Sequence, residues 1–194
     1  MSAPNRTPRH AGLALDREIL DAAGVSRALA ALADAIAERS RGAAEPPILL
    51  GIRTGGAVLA ERLVRLVGER LGRAVPLGKI DITLYRDDVS DGRSRPHVGV
   101  TELPCEIAGR ALVIVDDVLY TGRTVRAALT ELGDYGRPAR IELAVLVDRG
   151  HRELPIHADH VGVTTKTARG ETVVVSLSEL GDPDRVAVYT KEGA

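Results

Sequence analysis

The chain has 194 residues, 44% of them hydrophobic and 27% charged, with a formal net charge of −1 at pH 7. This length favours one globular domain, and a charge near zero gives no overall attraction to nucleic acid. No apolar run approaches the roughly 20 residues needed to cross a membrane, so the sequence predicts a cytoplasmic protein without a membrane partner. Cys105 is the only cysteine, which excludes an internal disulfide and a cysteine-based zinc site.

The N-terminal segment has basic residues but lacks the apolar core of a signal peptide. We expect residues 1–15 to form a disordered arm and residues 16–194 to form one domain. From Asp21 onward, apolar residues recur at helical spacing, and Gly42 follows the last periodic turn as a stop signal. The apolar stripe of this predicted amphipathic helix consists of Val25, Ala28, Leu29, Leu32 and Ile36.

Two strands, a helix and a loop are predicted next. Pro47–Ile52 is continuously apolar, which is typical of a strand buried on both faces. The apolar stripe from Val58 to Val67 predicts a helix. Ile80–Tyr85 alternates apolar and polar residues and predicts a strand with one solvated face. Arg86–His97 is polar and contains glycine and proline, so we expect a long, flexible loop of the kind that forms a lid.

The second half of the chain alternates strands and helices. Ala111–Val115 and Ile141–Val147 are apolar runs that predict buried strands, and Thr124–Leu132 between them predicts a helix. Strand, helix and strand in this order imply parallel pairing through right-handed crossovers. The sequence therefore predicts an α/β fold with a central, mostly parallel sheet flanked by helices and a small mixed appendage. The shorter strands of the C-terminal region are expected near His160–Val163, Thr172–Leu177 and Arg185–Tyr189.

The segment after Val115 carries the strongest chemical signal. Asp116 and Asp117 stand at the carboxyl end of a buried strand, where open α/β sheets bind their ligands. Thr121–Thr124 then leads into a helix, whose backbone N–H groups and dipole favour a phosphate. Two carboxylates beside an anion are explained if they hold ribose hydroxyls or Mg²⁺, a cation that prefers oxygen ligands.

Other interpretations of this segment are weaker. In one, the acidic pair is a solvated strand end and the Thr-Gly turn an ordinary helix entry. In another, the chain is a phosphoaspartate receiver domain, but the acidic pair of that class normally lies near the first strand without a Thr-Gly-x-Thr cradle behind it. A histidine metal site is not expected either, because His10, His97 and His160 have no partner at metal-ligand spacing and should lie on the surface.

Val113–Thr124 resembles the phosphoribosyl pyrophosphate motif of type I phosphoribosyltransferases, a hydrophobic strand followed by an acidic pair and a Thr-Gly loop. Ile80–Asp88, Val113–Arg126 and Leu143–Ile156 are similar to PyrR, the family of bifunctional pyrimidine operon regulators and uracil phosphoribosyltransferases. The similarity runs roughly from Ala22 to the C-terminus.

This resemblance implies the type I phosphoribosyltransferase fold and an Mg²⁺-dependent reaction of phosphoribosyl pyrophosphate with uracil that yields UMP and pyrophosphate. It also implies UMP-dependent binding to the leader mRNA of a pyrimidine operon, and a homodimer or higher homo-oligomer. Transfer in this family passes through an oxocarbenium-like state, so positioning and electrostatics supply the catalysis and no side-chain nucleophile is required.

The resemblance also assigns roles to residues. Asp116 and Asp117 would hold the ribose hydroxyls and Mg²⁺, either directly or through the substrate, and Arg86 in the lid would reach the leaving pyrophosphate. Arg149 and Thr165 would border the base pocket. The residues implied in binding phosphoribosyl pyrophosphate are Arg53, Thr54 and Gly55, and then Val118, Leu119, Tyr120, Thr121, Gly122, Arg123 and Thr124. Those implied in RNA binding are His151 and Arg152.

The chain departs from the family at several of these positions. Gly55 stands where the family usually has arginine, which removes a guanidinium from the pyrophosphate loop and predicts weaker catalysis. On the first helix, Ala30, Ala31 and Asp34 replace the family's threonine, arginine and histidine, and Val163 replaces a lysine.

Fewer cations should weaken RNA binding, because phosphate contacts supply much of that affinity. Equally, the two alanines suit a helix face packed against another subunit. Two alternatives to the main prediction follow: an attenuation regulator with weak or no catalysis, and an RNA-blind phosphoribosyltransferase that uses another base.

Overall fold

The computed structural model describes residues 12–83 and 100–191. They form a five-stranded sheet with three helices and a separate three-stranded sheet. In chain order the elements are β1 (Leu13–Leu20), α1 (Ala22–Arg39), β2 (Ile48–Ile52), α2 (Gly55–Leu71), β3 (Leu77–Ile80), β4 (Ala111–Leu119), α3 (Arg123–Gly133), β5 (Arg140–Asp148), β6 (His160–Thr164), β7 (Thr172–Ser176), a short 3₁₀ helix (Ser178–Leu180) and β8 (Arg185–Lys191). None of the helices in the described ranges is both long and apolar enough to cross a membrane.

The five-stranded sheet has the order β3-β2-β4-β5-β6, and all its strand pairs are parallel. Side chains alternate between its two faces, so neighbouring residues of one strand enter different cores. Leu49 packs in a cluster with α1 and α2, whereas Ile48 and Leu50 pack in a cluster with α3. Burial on both faces explains why β2, β4 and β5 were recognisable as continuous apolar runs.

The three-stranded sheet has the order β1-β8-β7 and is antiparallel. Four valines of β7 and β8 extend the core that contains α1 and α2. The small appendage therefore exists but is antiparallel rather than mixed, and β6 belongs to the central sheet. β1 begins at Leu13, inside the segment expected to be a disordered arm, because Leu13 pairs with Lys191 and packs beside Tyr189.

The predicted strand Ile80–Tyr85 is wrong in its start and over residues 81–83, and Leu84 and Tyr85 lie outside the described residues. β3 ends at Ile80, and the chain then turns, with Asp81 Oδ1 accepting a hydrogen bond from the Thr83 backbone N–H at 2.9 Å. Such an Asx turn competes with continuation of a strand. The expected lid, Arg86–His97, lies outside the described residues.

His160 is buried, so its expected position on the surface is wrong. Its Nε2 lies 2.9 Å from Glu142 Oε2, and the two side chains are only 5% and 4% exposed. Arg39 Nε and Arg140 Nε donate to Glu142 Oε1 at 2.8 and 2.7 Å. Burial alone would raise the pKa of Glu142, but the hydrogen bonds from His160 and Arg39 and the charge of Arg140 outweigh it and lower the pKa. This cluster joins α1 to β5 and β6.

An ion-pair group around Arg62 joins α2 to the connection between β7 and β8. Arg62 Nη2 donates to Asp184 Oδ1 and Arg62 Nε to Glu179 Oε1, both at 2.9 Å. The hydrogen bonds from Arg62 lower the pKa of Asp184 to about 2. The small sheet is thus held to α2 by charge as well as by its apolar face.

We expect Arg62→Ala to lower the free energy of unfolding by on the order of 2 kcal/mol, because it leaves two carboxylates without their shared donor. The contribution of Asp184 is fully present above its unfolded pKa of about 3.9 and is lost as the pH falls towards its folded value, since the folded pKa is the lower one. Urea unfolding measured between pH 2 and 7 should therefore show a flatter acid dependence for Asp184→Asn than for wild type. Asp182→Asn, in the same connection, is the control. Equal acid profiles for all three proteins would contradict this role.

Candidate active site

The acidic pair lies within the last part of β4, which extends to Leu119 rather than ending at Val115. The Asp117 carboxylate lies against Gly55 at the start of α2, and Asp116 is only 6% exposed. The backbone N–H of Asp117 donates to Asp116 Oδ1 at 3.0 Å. No group of three or more His, Cys, Asp or Glu side chains in residues 12–83 and 100–191 could hold a metal ion.

The predicted phosphate loop, residues 118–124, joins β4 to α3. Gly122 has a φ of 92° and forms the N-cap of α3, a backbone conformation that favours glycine. With no side chain at the cap, the first N–H groups of the helix can face a ligand. Arg123 N lies 3.4 Å from Thr121 Oγ1, and the Arg123 guanidinium pairs with Glu153 at 2.9 Å. Thr124 is exposed in the first turn of α3.

The predicted pyrophosphate loop, Arg53–Gly55, lies directly against β4. The Arg53–Thr54 peptide bond is cis, and α2 starts at Gly55. A Cβ atom on Gly55 would lie 2.1 Å from Asp117 Oδ2, and one on Gly56 would lie 2.3 Å from the Val115 carbonyl oxygen. The departure from the family at Gly55 thus coincides with close contact between this loop and the Asp117 carboxylate.

Arg53 is the cation of this loop. Its Nη2 donates to Glu102 Oε1 at 2.5 Å, and the Arg53 side chain is 36% exposed. Arg86, the other cation expected near pyrophosphate, lies outside the described residues. Glu102 was not predicted as part of the site.

A cavity of about 540 Å³ lies beyond the carboxyl ends of β5 and β6. It brings together the two predicted base-pocket residues, Arg149 and Thr165, with the two predicted RNA residues, His151 and Arg152. The backbone N–H of Thr165 donates to the Asp148 carbonyl at 2.9 Å, which continues the register of β5 and β6.

Arg149 is buried and acts as a link between the cavity wall and the phosphate loop. Its guanidinium lies 4.1 Å from the centre of the Tyr120 ring and donates to Thr167 Oγ1 and to the carbonyls of Ala168 and Glu171 at 2.8–3.0 Å. Burial lowers the pKa of Arg149. A guanidinium that stacks on Tyr120 and donates through Nε and Nη2 holds this wall of the cavity in place.

His151 and Arg152 also make contacts within the protein. His151 Nε2 lies 2.5 Å from the Thr167 carbonyl oxygen, and its ring meets the Tyr120 ring edge to face at 5.7 Å. The Arg152 side chain is 15% exposed and pairs with Asp148 at 2.5 Å. Their predicted role in RNA binding stays a prediction.

The positions at which α1 and β6 differ from the family have different surroundings. Asp34 accepts a hydrogen bond from Arg70 of α2, and Arg70 Nη2 donates to the Ala30 carbonyl at 3.3 Å. Ala31 is exposed, and Val163 is half-buried against the core that contains α1 and α2. Asp34 therefore supplies a carboxylate that ties α1 to α2.

One further contact has no local sequence pattern that could have predicted it. Arg17 of β1 donates to Glu171 Oε1 at 3.1 Å and to the Lys166 carbonyl at 3.0 Å, on the segment that forms the cavity wall. Because 154 residues separate Arg17 from Glu171, only the antiparallel sheet brings them together.

Comparison with known proteins assigns the chain to a family. The phosphoribosyl transferase domain profile matches residues 18–179. The bifunctional protein PyrR of Thermus aquaticus is 52% identical over 177 residues, which cover 91% of this chain and 97% of that protein. The Bacillus velezensis protein of the same name is 49% identical over 176 residues, with coverages of 90% and 97%. The chain therefore belongs to the PyrR family of phosphoribosyltransferases.

Solved structures confirm the predicted type I fold. Trypanosoma cruzi hypoxanthine phosphoribosyltransferase, in complex with the product IMP, matches with a TM-score of 0.70 at 18% identity, covering 92% of each chain. At this identity the likeness concerns the fold alone.

We expect Gly56→Ala to destabilise the chain by about 3 kcal/mol, because the added methyl group would meet a main-chain oxygen of β4 that cannot rotate away. Thermal unfolding followed by circular dichroism measures the effect. Gly133→Ala, at the end of α3 with no atom within 4 Å of the added Cβ, is the matched control. Equal melting temperatures for the two variants would show that α2 does not approach β4 this closely.

Proposed function

We propose that this protein is a cytoplasmic uracil phosphoribosyltransferase that converts uracil and phosphoribosyl pyrophosphate to UMP and pyrophosphate. In the same proposal it regulates pyrimidine operon expression by UMP-dependent binding to leader mRNA. The observation that carries the enzymatic part is the contact of the pyrophosphate loop with Asp117, immediately before the phosphate loop. Family membership supports both parts.

The two loops supply complementary groups for the substrate. The N-terminus of α3 and the hydroxyls of Thr121 and Thr124 suit the 5′-phosphate. Asp117 and Asp116, immediately before this loop, suit the ribose hydroxyls. Arg53, two residues before the Gly55 that contacts Asp117, suits the pyrophosphate group.

Magnesium fits this site only in company with substrate oxygens. The described residues contain no group of three or more His, Cys, Asp or Glu side chains that could hold a metal ion by themselves, but Asp117 provides one hard oxygen ligand beside the loop that would bind pyrophosphate. When bound, Mg²⁺ supplies neutralisation of the diphosphate charge. The chain's own contribution is to orient the ribose and to hold pyrophosphate near Arg53.

The cavity beside Arg149 and Thr165 provides the place for the base. Tyr120 connects it to the phosphate loop, since its ring contacts both Arg149 and His151. In the reaction, the bond between uracil N1 and ribose C1 forms as the bond from C1 to pyrophosphate breaks. The choice of uracil as the acceptor is inferred from family membership, and the cavity provides space for the base.

Asp117→Asn should lower turnover by at least about 100-fold, because an amide replaces the carboxylate that holds the ribose and Mg²⁺. The assay follows labelled uracil to UMP with Mg²⁺ and phosphoribosyl pyrophosphate present. Asp182→Asn removes the same charge from the surface and should leave turnover unchanged. Absence of UMP with the wild-type chain would overturn the uracil proposal, and a screen of purine bases would then identify another acceptor.

For regulation, we expect the wild-type protein to bind a pyrimidine operon leader transcript with an affinity that falls steeply with salt, because phosphate contacts release counterions. UMP should tighten this binding in gel-shift titrations. A scrambled transcript of equal length is the control. Binding that is independent of UMP, or that does not distinguish the two transcripts, would contradict the regulatory role.

Sedimentation of the same samples tests the proposed homodimer or higher assembly, for which the exposed Ala31 on α1 suits a subunit contact.

A further inference from the structure

The chain that follows β5 lies against the phosphate loop. We call residues 148–156 the brace. Arg149 N donates to the Leu119 carbonyl at 3.1 Å, and Glu153 N and Leu154 N donate to the Thr121 carbonyl at 3.0 and 3.2 Å. The brace therefore holds the loop through its backbone carbonyls.

Arg152 is the centre of the brace. Its Nη1 donates to the carbonyls of Tyr120 and Gly150 at 2.8 and 3.0 Å, and its Nε donates to the Ile156 carbonyl at 3.0 Å. Its Nη2 donates to Asp148 Oδ2 at 2.5 Å, so the charge is paired within the protein. With the side chain 15% exposed, the guanidinium is directed towards the loop and away from solvent.

The direction of these bonds has a consequence for the loop amides. In a planar trans peptide the C=O and the following N–H point in opposite directions. Carbonyls 119, 120 and 121 accept bonds from the brace, so the N–H groups of Tyr120, Thr121 and Gly122 point away from it. The pairing of β2 with β4 ends at Val115, and beyond it the Arg53–Gly55 loop lies on that side of β4. The three N–H groups thus face the space between the two loops.

We propose that Arg152 is a positioning residue for the phosphate loop. By fixing the Tyr120 carbonyl from behind, it aims the loop N–H groups at the 5′-phosphate of phosphoribosyl pyrophosphate and UMP. It acts through the loop and contacts neither substrate nor RNA. This inference rests on the proposed function, since it takes a phosphate as the ligand of the loop.

Geometry and not only charge makes arginine necessary here. The planar guanidinium presents five N–H donors in a fixed fork, which reaches carbonyls on several sides at once. A lysine keeps the positive charge beside Asp148 but concentrates its donors on one nitrogen. Arg152→Lys therefore separates the effect of charge from the effect of orientation.

The test compares Arg152→Lys with wild type and with Arg137→Lys, an exposed arginine on the connection between α3 and β5. Calorimetric titration should show UMP affinity on the order of tenfold weaker in Arg152→Lys, and the Michaelis constant for phosphoribosyl pyrophosphate raised, while that for uracil stays unchanged. In ¹⁵N–¹H spectra, the Tyr120, Thr121 and Gly122 amides should shift on addition of UMP in wild type and shift less in Arg152→Lys. Arg137→Lys should match wild type throughout.

Unchanged UMP affinity in Arg152→Lys, in a wild type that makes UMP, would overturn the positioning role and leave the proposed function standing. A wild type that makes no UMP would overturn the proposed function instead. Inorganic phosphate, titrated against the same three amides, would then still test the role of Arg152. Loss of leader RNA binding in Arg152→Lys with UMP affinity intact would indicate a direct RNA contact and would also overturn the proposal.

Discussion

The close approach of the α2 N-terminus to β4 is the constraint on which the site depends. Gly55 and Gly56 place backbone where any side chain would collide with Asp117 or with the Val115 carbonyl. This contact brings the loop after β2 against the loop after β4, although about sixty residues separate them in the sequence. A larger residue at Gly56 would force the two strands' carboxyl ends apart. This glycine pair sets how closely the start of α2 approaches β4.

The central fold was predictable because its strands are buried on both faces. Continuous apolar runs identified β2, β4 and β5, and Asp21 was correctly expected to start α1, where its Oδ1 accepts from Gly24 N at 2.7 Å. The errors fall on edge strands. β1 and β3 are the edge strands of their sheets, and beyond β2 the strand β3 has only the isolated bridge between Lys79 and Glu102, so the residues of both strands carry a weaker pattern. His160 was expected on the surface because no nearby sequence pattern predicts Glu142 as its buried partner.

The candidate site likewise has a part that the sequence predicts and a part that it does not. The acidic pair and the phosphate loop are continuous in sequence, so one stretch of residues indicated their chemistry and their place at a strand end. Contacts between distant segments could not be found like this. Glu102 beside Arg53, and Arg17 beside Glu171, depend on how the strands are ordered. The arginine next to the base cavity was identified from the family, but its stacking on Tyr120 follows only from the fold.

The positions of α2 and α3 have a mechanical consequence. α2, which follows the Arg53–Gly55 loop, packs in the core on one face of the central sheet, and α3, which follows the phosphate loop, packs in the core on the other face. A ligand held by both loops would join these two layers at the point where each reaches the ligand. Ligand binding to the native state raises the free energy of unfolding by RT ln(1 + L/Kd), where L is the free ligand concentration. In this molecule both cores would share that gain, so a bound nucleotide would stabilise the two helical layers of the domain together.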